Sequence, residues 1–134
     1  MSQPEPMLTV TDRLPHGFAA ADASTLGSVL SGPTLIHLPG ERTPPLFVSV
    51  LLHGNEDVGL RAVQRLLAGT RGRRLPRALS VFIGNVAAAR RNLRRLDEQP
   101  DYNRIWPGTD LPRTPHHAVM EDVVEQMRRR GVFA

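Results

Sequence analysis

The chain has 134 residues, of which 40% are hydrophobic and 22% charged, the balance of one globular domain rather than of a disordered or fibrous protein. It has no cysteine, which excludes disulfides, thiolate zinc fingers, iron–sulfur clusters and cysteine nucleophiles. All 17 basic residues are arginine, so little titrates between neutral pH and arginine and the pI is about 11.1 although the net charge is only +4, and Schiff-base or P-loop lysines are excluded. No apolar run approaches the ~18 residues of a membrane span. The opening MSQPEPMLTV lacks the basic-then-apolar order of a secretory signal, so the expected location is the cytoplasm.

In chain order, Met7 to Val10 reads as a short edge strand and Leu26 to Leu30 as a helical turn. Thr34 to Leu38 is a strand stopped by Pro39-Gly40. Leu46 to Leu52 (LFVSVLL) is nearly continuous in apolar residues, which suits a strand covered on both faces. His53-Gly54 ends it. Val58, Ala62, Val63, Leu66 and Leu67 then recur at helical spacing, with Arg61 and Arg65 on the other face and Gly69 as the stop. Arg71 to Arg77 is a basic linker. Leu79 to Ile83 is a second buried-type strand, ended by Gly84-Asn85. Strand, helix and strand in this order imply a parallel crossover in an α/β sheet.

Val86 to Arg91 suits a short helix. From Asn92 to Pro115 the periodicity lapses, and Pro100, Pro107, Pro112 and Pro115 exclude a long helix. So long an irregular stretch points to function or disorder. Thr114 is placed to cap a last helix with Pro115 in its first position. Ala118, Val119, Val123, Val124 and Met127 give that helix an apolar face. Arg128 to Arg130 complement its dipole, and Gly131 closes it. Val132, Phe133 and Ala134 read as the start of a further strand. No internal repeat is present.

The chemistry concentrates after the first apolar strand. Ligands gather at the carboxyl ends of strands in α/β sheets, and His53-Gly54-Asn55-Glu56 stands at such an end. Imidazole and carboxylate both ligate zinc, and Gly54 permits the reversal that brings the two side chains together. The same spacing also suits a strand-ending histidine, with Glu56 and Asp57 favoured by the helix dipole. The loop after the second strand carries Arg94, Arg95, Asp97, Asp101, Asn103 and Arg104. Its guanidinium groups suit a substrate carboxylate or charge developing on a carbonyl oxygen. They equally suit a solvated basic loop with local ion pairs.

HGNE after a strand, GN after the next, and then RRLDEQPDYNRIWPG resemble the zinc carboxypeptidase superfamily, and most closely its succinylglutamate desuccinylase/aspartoacylase branch. That branch carries H-G-N-E, G-N-P and R-Y-x-D-x-D-L-N-R-x-F-P-G-like segments. The resemblance spans Leu46 to Gly108. It implies a mixed, largely parallel sheet flanked by helices: the N-terminal portion, within one domain over 1–134, of a zinc-carboxypeptidase-like (phosphorylase/hydrolase-like) fold. It further implies that His53 and Glu56 are zinc ligands, that Asn103 and Arg104 bind the substrate's carboxylate, that Arg94 polarises the scissile carbonyl, and that Asp97 and Asp101 are supporting acidic positions. The chain departs from the pattern at Val86 for proline, Arg95 for an aromatic residue, Tyr102 for leucine, and Gln99-Pro100 as an insertion that loosens the placement of Arg94.

Such enzymes take a third zinc ligand, a histidine, and a glutamate base from later segments, and no residue stands here at matching positions. The activity implied is hydrolysis of an amide bond in an N-acyl amino acid or peptide with a free carboxylate, by a metallohydrolase truncated before those two groups and inactive alone. His116 and His117 read as first-turn residues of the last helix rather than as a replacement ligand. His16 and His37 read as structural, and Trp106 as a packing residue. Glu121, Asp122 and Glu125 read as solvated helix positions. A second reading is a polyanion-binding module using Arg71, Arg73, Arg74, Arg77 and the Arg90–Arg95 cluster. Few aromatics, a small net charge and no nucleic-acid motif stand against it. A third is a short non-catalytic protein whose exposed sheet edges drive self-association, as a homo-oligomer, or pairing with a complementary chain. No membrane partner is expected.

Overall fold

The structure, a computed structural model, describes residues 5–133. Four strands form one mixed sheet: β1 (Thr9–Thr11), β2 (Thr34–Leu38), β3 (Leu46–Val50) and β4 (Leu79–Ile83), in the spatial order β1-β2-β4-β3. β1 runs parallel to β2, β2 antiparallel to β4, and β4 parallel to β3. Helix α1 (Val58–Gly69) makes the crossover from β3 to β4 that the strand–helix–strand order implies. The short α2 (Val86–Arg90) follows β4, and α3 (Pro115–Arg129) is the last helix.

Alternation along the strands divides the core into two layers. Ile36, Val50, Val81 and Ile83 join Leu60 and Val63 of α1, with Phe18 and Leu26 from two short 3₁₀ segments. Leu35 and Phe82 project to the other face and meet Val119, Met120, Val123 and Met127 of α3. The result is a helix–sheet–helix sandwich, in agreement with a partial carboxypeptidase-like fold. Among the described residues no helix is long and apolar enough to cross a membrane.

Local signals at α3 hold to the atom. The Thr114 hydroxyl accepts from His116 N–H, and the Thr114 N–H donates to His117 Nδ1. At the far end Gly131 takes a left-handed φ of +86°. Its N–H donates to Arg128 O and that of Val132 to Met127 O, the paired closure that a glycine after the helix permits.

Several expectations are corrected. β1 covers Thr9–Thr11 rather than Met7 to Val10, and Met7 is exposed. The turn near Leu26 is a 3₁₀ helix that starts earlier, at Ala23. β3 stops at Val50 rather than Leu52, because Leu51 turns the chain with a φ of +57°. β3 packs on both faces, Val48 and Val50 toward α1 and Phe47 toward Trp106 and Phe133, but it is an edge strand with one neighbour, and Leu46 at its start is 56% exposed. The fully buried strand is β4, which lies between two others. α1 faces the sheet with Leu60, Val63 and Leu67, leaving Val58, Ala62 and Leu66 exposed. In α3, Met120 rather than Ala118 packs inward. Val132 and Phe133 form no strand; Phe133 packs edge-on to Phe47, with ring centroids 5.5 Å apart. Ala134 lies outside the described residues.

Candidate active site

The site begins where Leu51 breaks β3. The chain reverses through His53 and Gly54, and Glu56 N–H donates to His53 O at 3.1 Å. Gly54 is needed here because a Cβ would collide with the backbone of Ala88, Ala89 and Leu93 on α2 and the segment after it. Its N–H donates to Arg94 O at 3.0 Å, which registers the HGNE turn directly against the arginine-bearing loop. The reversal sets His53 Nδ1 3.1 Å from Glu56 Oε2.

The other imidazole nitrogen is held from 48 residues away. His53 Nε2 lies 2.8 Å from Asp101 Oδ1, and that same oxygen accepts the N–H of Asn103 at 2.9 Å. Asp101 thus caps the 3₁₀ turn Tyr102–Arg104 while it orients the histidine. Arg94 Nη2 reaches Asp101 Oδ2 at 3.3 Å, and Nη1 lies 3.6 Å from Glu56 Oε1. Arg104 Nε is 3.7 Å from Asp101 Oδ2. Burial pushes the Asp101 carboxyl up, but hydrogen bonds from His53, the Asn103 N–H and Arg94 outweigh it and hold the group below its usual range. The histidine and Asp101 side chains are only 10% and 15% exposed, whereas Glu56 and Arg94 are 61% and 52% exposed. A sheltered pair therefore backs a solvent-facing pair. Ser49, Leu51, His53, Glu56, Gly59 and Asn103 share one open cleft of about 430 Å³.

The loop between β4 and Asp101 is braced from below. Asn85 caps α2 by accepting from Ala88 N–H, and its Nδ2 donates to Gln99 Oε1 at 2.8 Å. Gln99 Oε1 also accepts from Leu96 N–H, and Arg95 Nη1 donates to Gln99 O at 2.7 Å. Arg95, read in the sequence as one of the loop's ligand-facing guanidinium groups, instead joins Asn85 and Gln99 in fixing the loop that presents Arg94 and Asp101. Asp97 is exposed, and its carboxylate makes no hydrogen bond or ion pair among the described residues.

The remaining candidates sit elsewhere. His116 Nδ1 pairs with Tyr102 OH and His117 Nδ1 with Thr114, so neither turns toward His53. Trp106 packs edge-on to Phe47 and Phe82. Glu121 is ion-paired with Arg113 rather than simply solvated. In the basic linker, Arg74 and Arg77 donate to the carbonyls of Gly40 and Pro44. A larger groove, about 820 Å³, runs beside α1, with Asp22, Arg61 and Arg65 as its charged lining residues. It lies on the α1 side of the sheet.

The donor chemistry fits a metal in type but not in number. With Nε2–H given to Asp101, the lone pair of Nδ1 faces a carboxylate oxygen. At 3.1 Å the pair is within hydrogen-bonding distance, so either a proton on Nδ1 or, with Nδ1 unprotonated, a cation between the two atoms satisfies both. Zinc bonds of ~2.0–2.2 Å at a tetrahedral angle separate two donors by roughly 3.4 Å. A carboxylate behind the histidine is the usual outer support of a metal-ligating imidazole. Among the described residues, however, no group of three or more histidine, cysteine, aspartate or glutamate side chains suited to a metal is formed.

A mixed α/β sheet carrying a strand-end His–Glu pair, backed by a D-x-N-R turn and an arginine, defines a protein of the zinc carboxypeptidase superfamily. More narrowly, residues 42–131 match the succinylglutamate desuccinylase/aspartoacylase catalytic domain, and the chain belongs to that family, whose members are generally hydrolases. The matched span contains all six residues His53, Glu56, Arg94, Asp101, Asn103 and Arg104. No curated protein and no solved structure matches the chain.

Proposed function

We propose that this chain forms the metal-side and carboxylate-side half of a zinc-dependent amidohydrolase acting on an N-acyl amino acid or peptide with a free carboxylate. The observation that carries the reading is Asp101, which ties His53 and the Asn103–Arg104 turn into one unit although they are about 50 residues apart. His53 and Glu56 would hold the metal. Zinc bound there supplies Lewis-acid polarisation and activates water near neutral pH. Asp101 keeps the His53 proton on Nε2 and so leaves Nδ1 as the donor. Arg94, at the solvent side of Glu56, is placed to stabilise negative charge developing on a carbonyl oxygen. Asn103 and Arg104 hold the substrate's carboxylate and fix its register. A third metal donor and a base for the leaving amine belong to such chemistry. With two donors the chain by itself takes up zinc weakly and turns over poorly.

Calorimetric titration with zinc tests the metal half. Weak, near-equimolar binding that disappears in both His53→Ala and Glu56→Gln is the expected result. Binding unchanged in both variants would overturn the assignment.

A further inference from the structure

The Asp101–Arg104 turn projects Tyr102 away from the cleft and into the α3-side core, where it is 2% exposed among Leu35, Phe82, Ile105, Val119 and Met120. Burying a phenol demands a partner for its hydroxyl. Tyr102 OH has one, His116 Nδ1 at 2.7 Å, with the two rings tilted at 56° and 5.3 Å between centroids. Burial pushes the phenol's ionisation far above the ordinary range, so it keeps its proton, and the bond joins a neutral hydroxyl to the imidazole nitrogen. His116 is itself held in place by Thr114, whose hydroxyl accepts its backbone N–H at the cap of α3. The turn bearing Asn103 and Arg104 is thus fastened at two points, to His53 through Asp101 and to α3 through Tyr102.

We propose that Tyr102 and His116 are a positioning pair for the carboxylate-binding turn. The proposal rests on the reading of Asn103 and Arg104 as carboxylate ligands. Neither residue touches the substrate; both act through the backbone on either side of Tyr102. Leucine, which stands at this position in the sequence pattern of the family, could fill the same cavity but could not make the tie. The titratable groups facing His116 are Tyr102, His117 and Glu98. Burial, then His117, lower the pKa of His116, and Glu98 opposes them.

Heteronuclear NMR of the full chain, with succinate as the carboxylate probe between pH 5 and 8, tests this. In the wild type, succinate should shift the Asn103 and Arg104 resonances. Tyr102→Phe keeps the packing and removes the donor. It should move the His116 midpoint, because the ring loses its side-chain hydrogen-bond partner. It should also weaken succinate roughly threefold to tenfold. His116→Asn places an amide oxygen near the position of Nδ1 where it can accept from the phenol, and should bind succinate as tightly as the wild type. A Tyr102→Phe chain with unchanged His116 midpoint and unchanged succinate affinity would overturn the positioning role. Absence of any succinate effect on Asn103 and Arg104 in the wild type would instead overturn the carboxylate reading, and the pair's role with it.

Discussion

Two buried histidines sit at comparable depth in this protein and are treated in opposite ways. His53 is 8% exposed and His37 5%. His53 stands at a strand end between two carboxylates, with Arg94 and Arg104 beyond them. His37 lies in the middle of the sheet, on the row where β2 and β4 pair it with Ser80. Its Nδ1 is 2.7 Å from the Ser80 hydroxyl, and its Nε2 has no partner among the described residues. Burial first, and then Arg130, lower its pKa to about 4, against a smaller upward pull from Asp12. The difference separates a strand-end imidazole among charged groups from a core one. Depth is the same; the charged partners are not.

The largest effect expected from this contrast is acid destabilisation through His37. Its folded pKa is depressed from 6.5 to about 4. Between those values the unfolded chain binds more protons than the folded one, so stability is complete above pH 6.5 and drains as the pH falls toward 4. At 1.36 kcal/mol per unit the loss attributable to this one group is on the order of 3 kcal/mol. His37→Asn keeps a polar partner for Ser80 without a titrating ring. Urea unfolding at pH 7 and pH 4 should show most of the acid loss removed in that variant; an identical loss in both proteins would contradict the assignment.

How much of this was legible in the sequence follows from the range of the interactions. β2, β4, the capping of α3 and the Gly131 closure are written in residues a few positions apart, and each appeared where expected. The HGNE turn is equally local, with Gly54 making the His53–Glu56 approach possible. The edge position of β3 was hidden, because an apolar run says that a strand is buried without saying by how many neighbours. The left-handed Leu51 carries no residue signal at all. The role of Asp101 was only half visible: its place two residues before Asn103 marked it as supporting, but its bond to His53 spans 48 residues and needs the fold. Tyr102 read as a mild change from leucine, because only the α3 packing reveals the hydroxyl's partner.

Next in size is the loss of Asp101. Asp101→Asn keeps the volume of the side chain but weakens its hold on His53 Nε2 and on the two arginines. Removing the carboxylate behind a metal-ligating histidine costs about 10- to 100-fold in metal affinity. The same calorimetric titration used for His53→Ala should show a reduction in that range while the fold is retained. Zinc affinity equal to wild type would mean that Asp101 serves the 3₁₀ turn alone, and that the resemblance between the two histidines is closer than their partners suggest.

The smallest effect on stability is expected at Arg94, and this is the sharpest contrast with His37. Its guanidinium is 52% exposed, and its ion pairs with Glu56 and Asp101 are 3.6 and 3.3 Å long. Pairs of this kind are worth between about 0 and 1 kcal/mol, because solvent screens them and ordering the side chain costs entropy. Arg94→Gln should therefore unfold in urea within roughly 0.5 kcal/mol of wild type. So small a stability cost is what the proposed ligand-facing role of Arg94 requires, and it separates that role from a structural clamp. If the variant instead lost as much stability as removal of a buried partner, Arg94 would be a structural clamp on the HGNE turn, and the oxyanion-stabilising role proposed for it would have to pass to another donor.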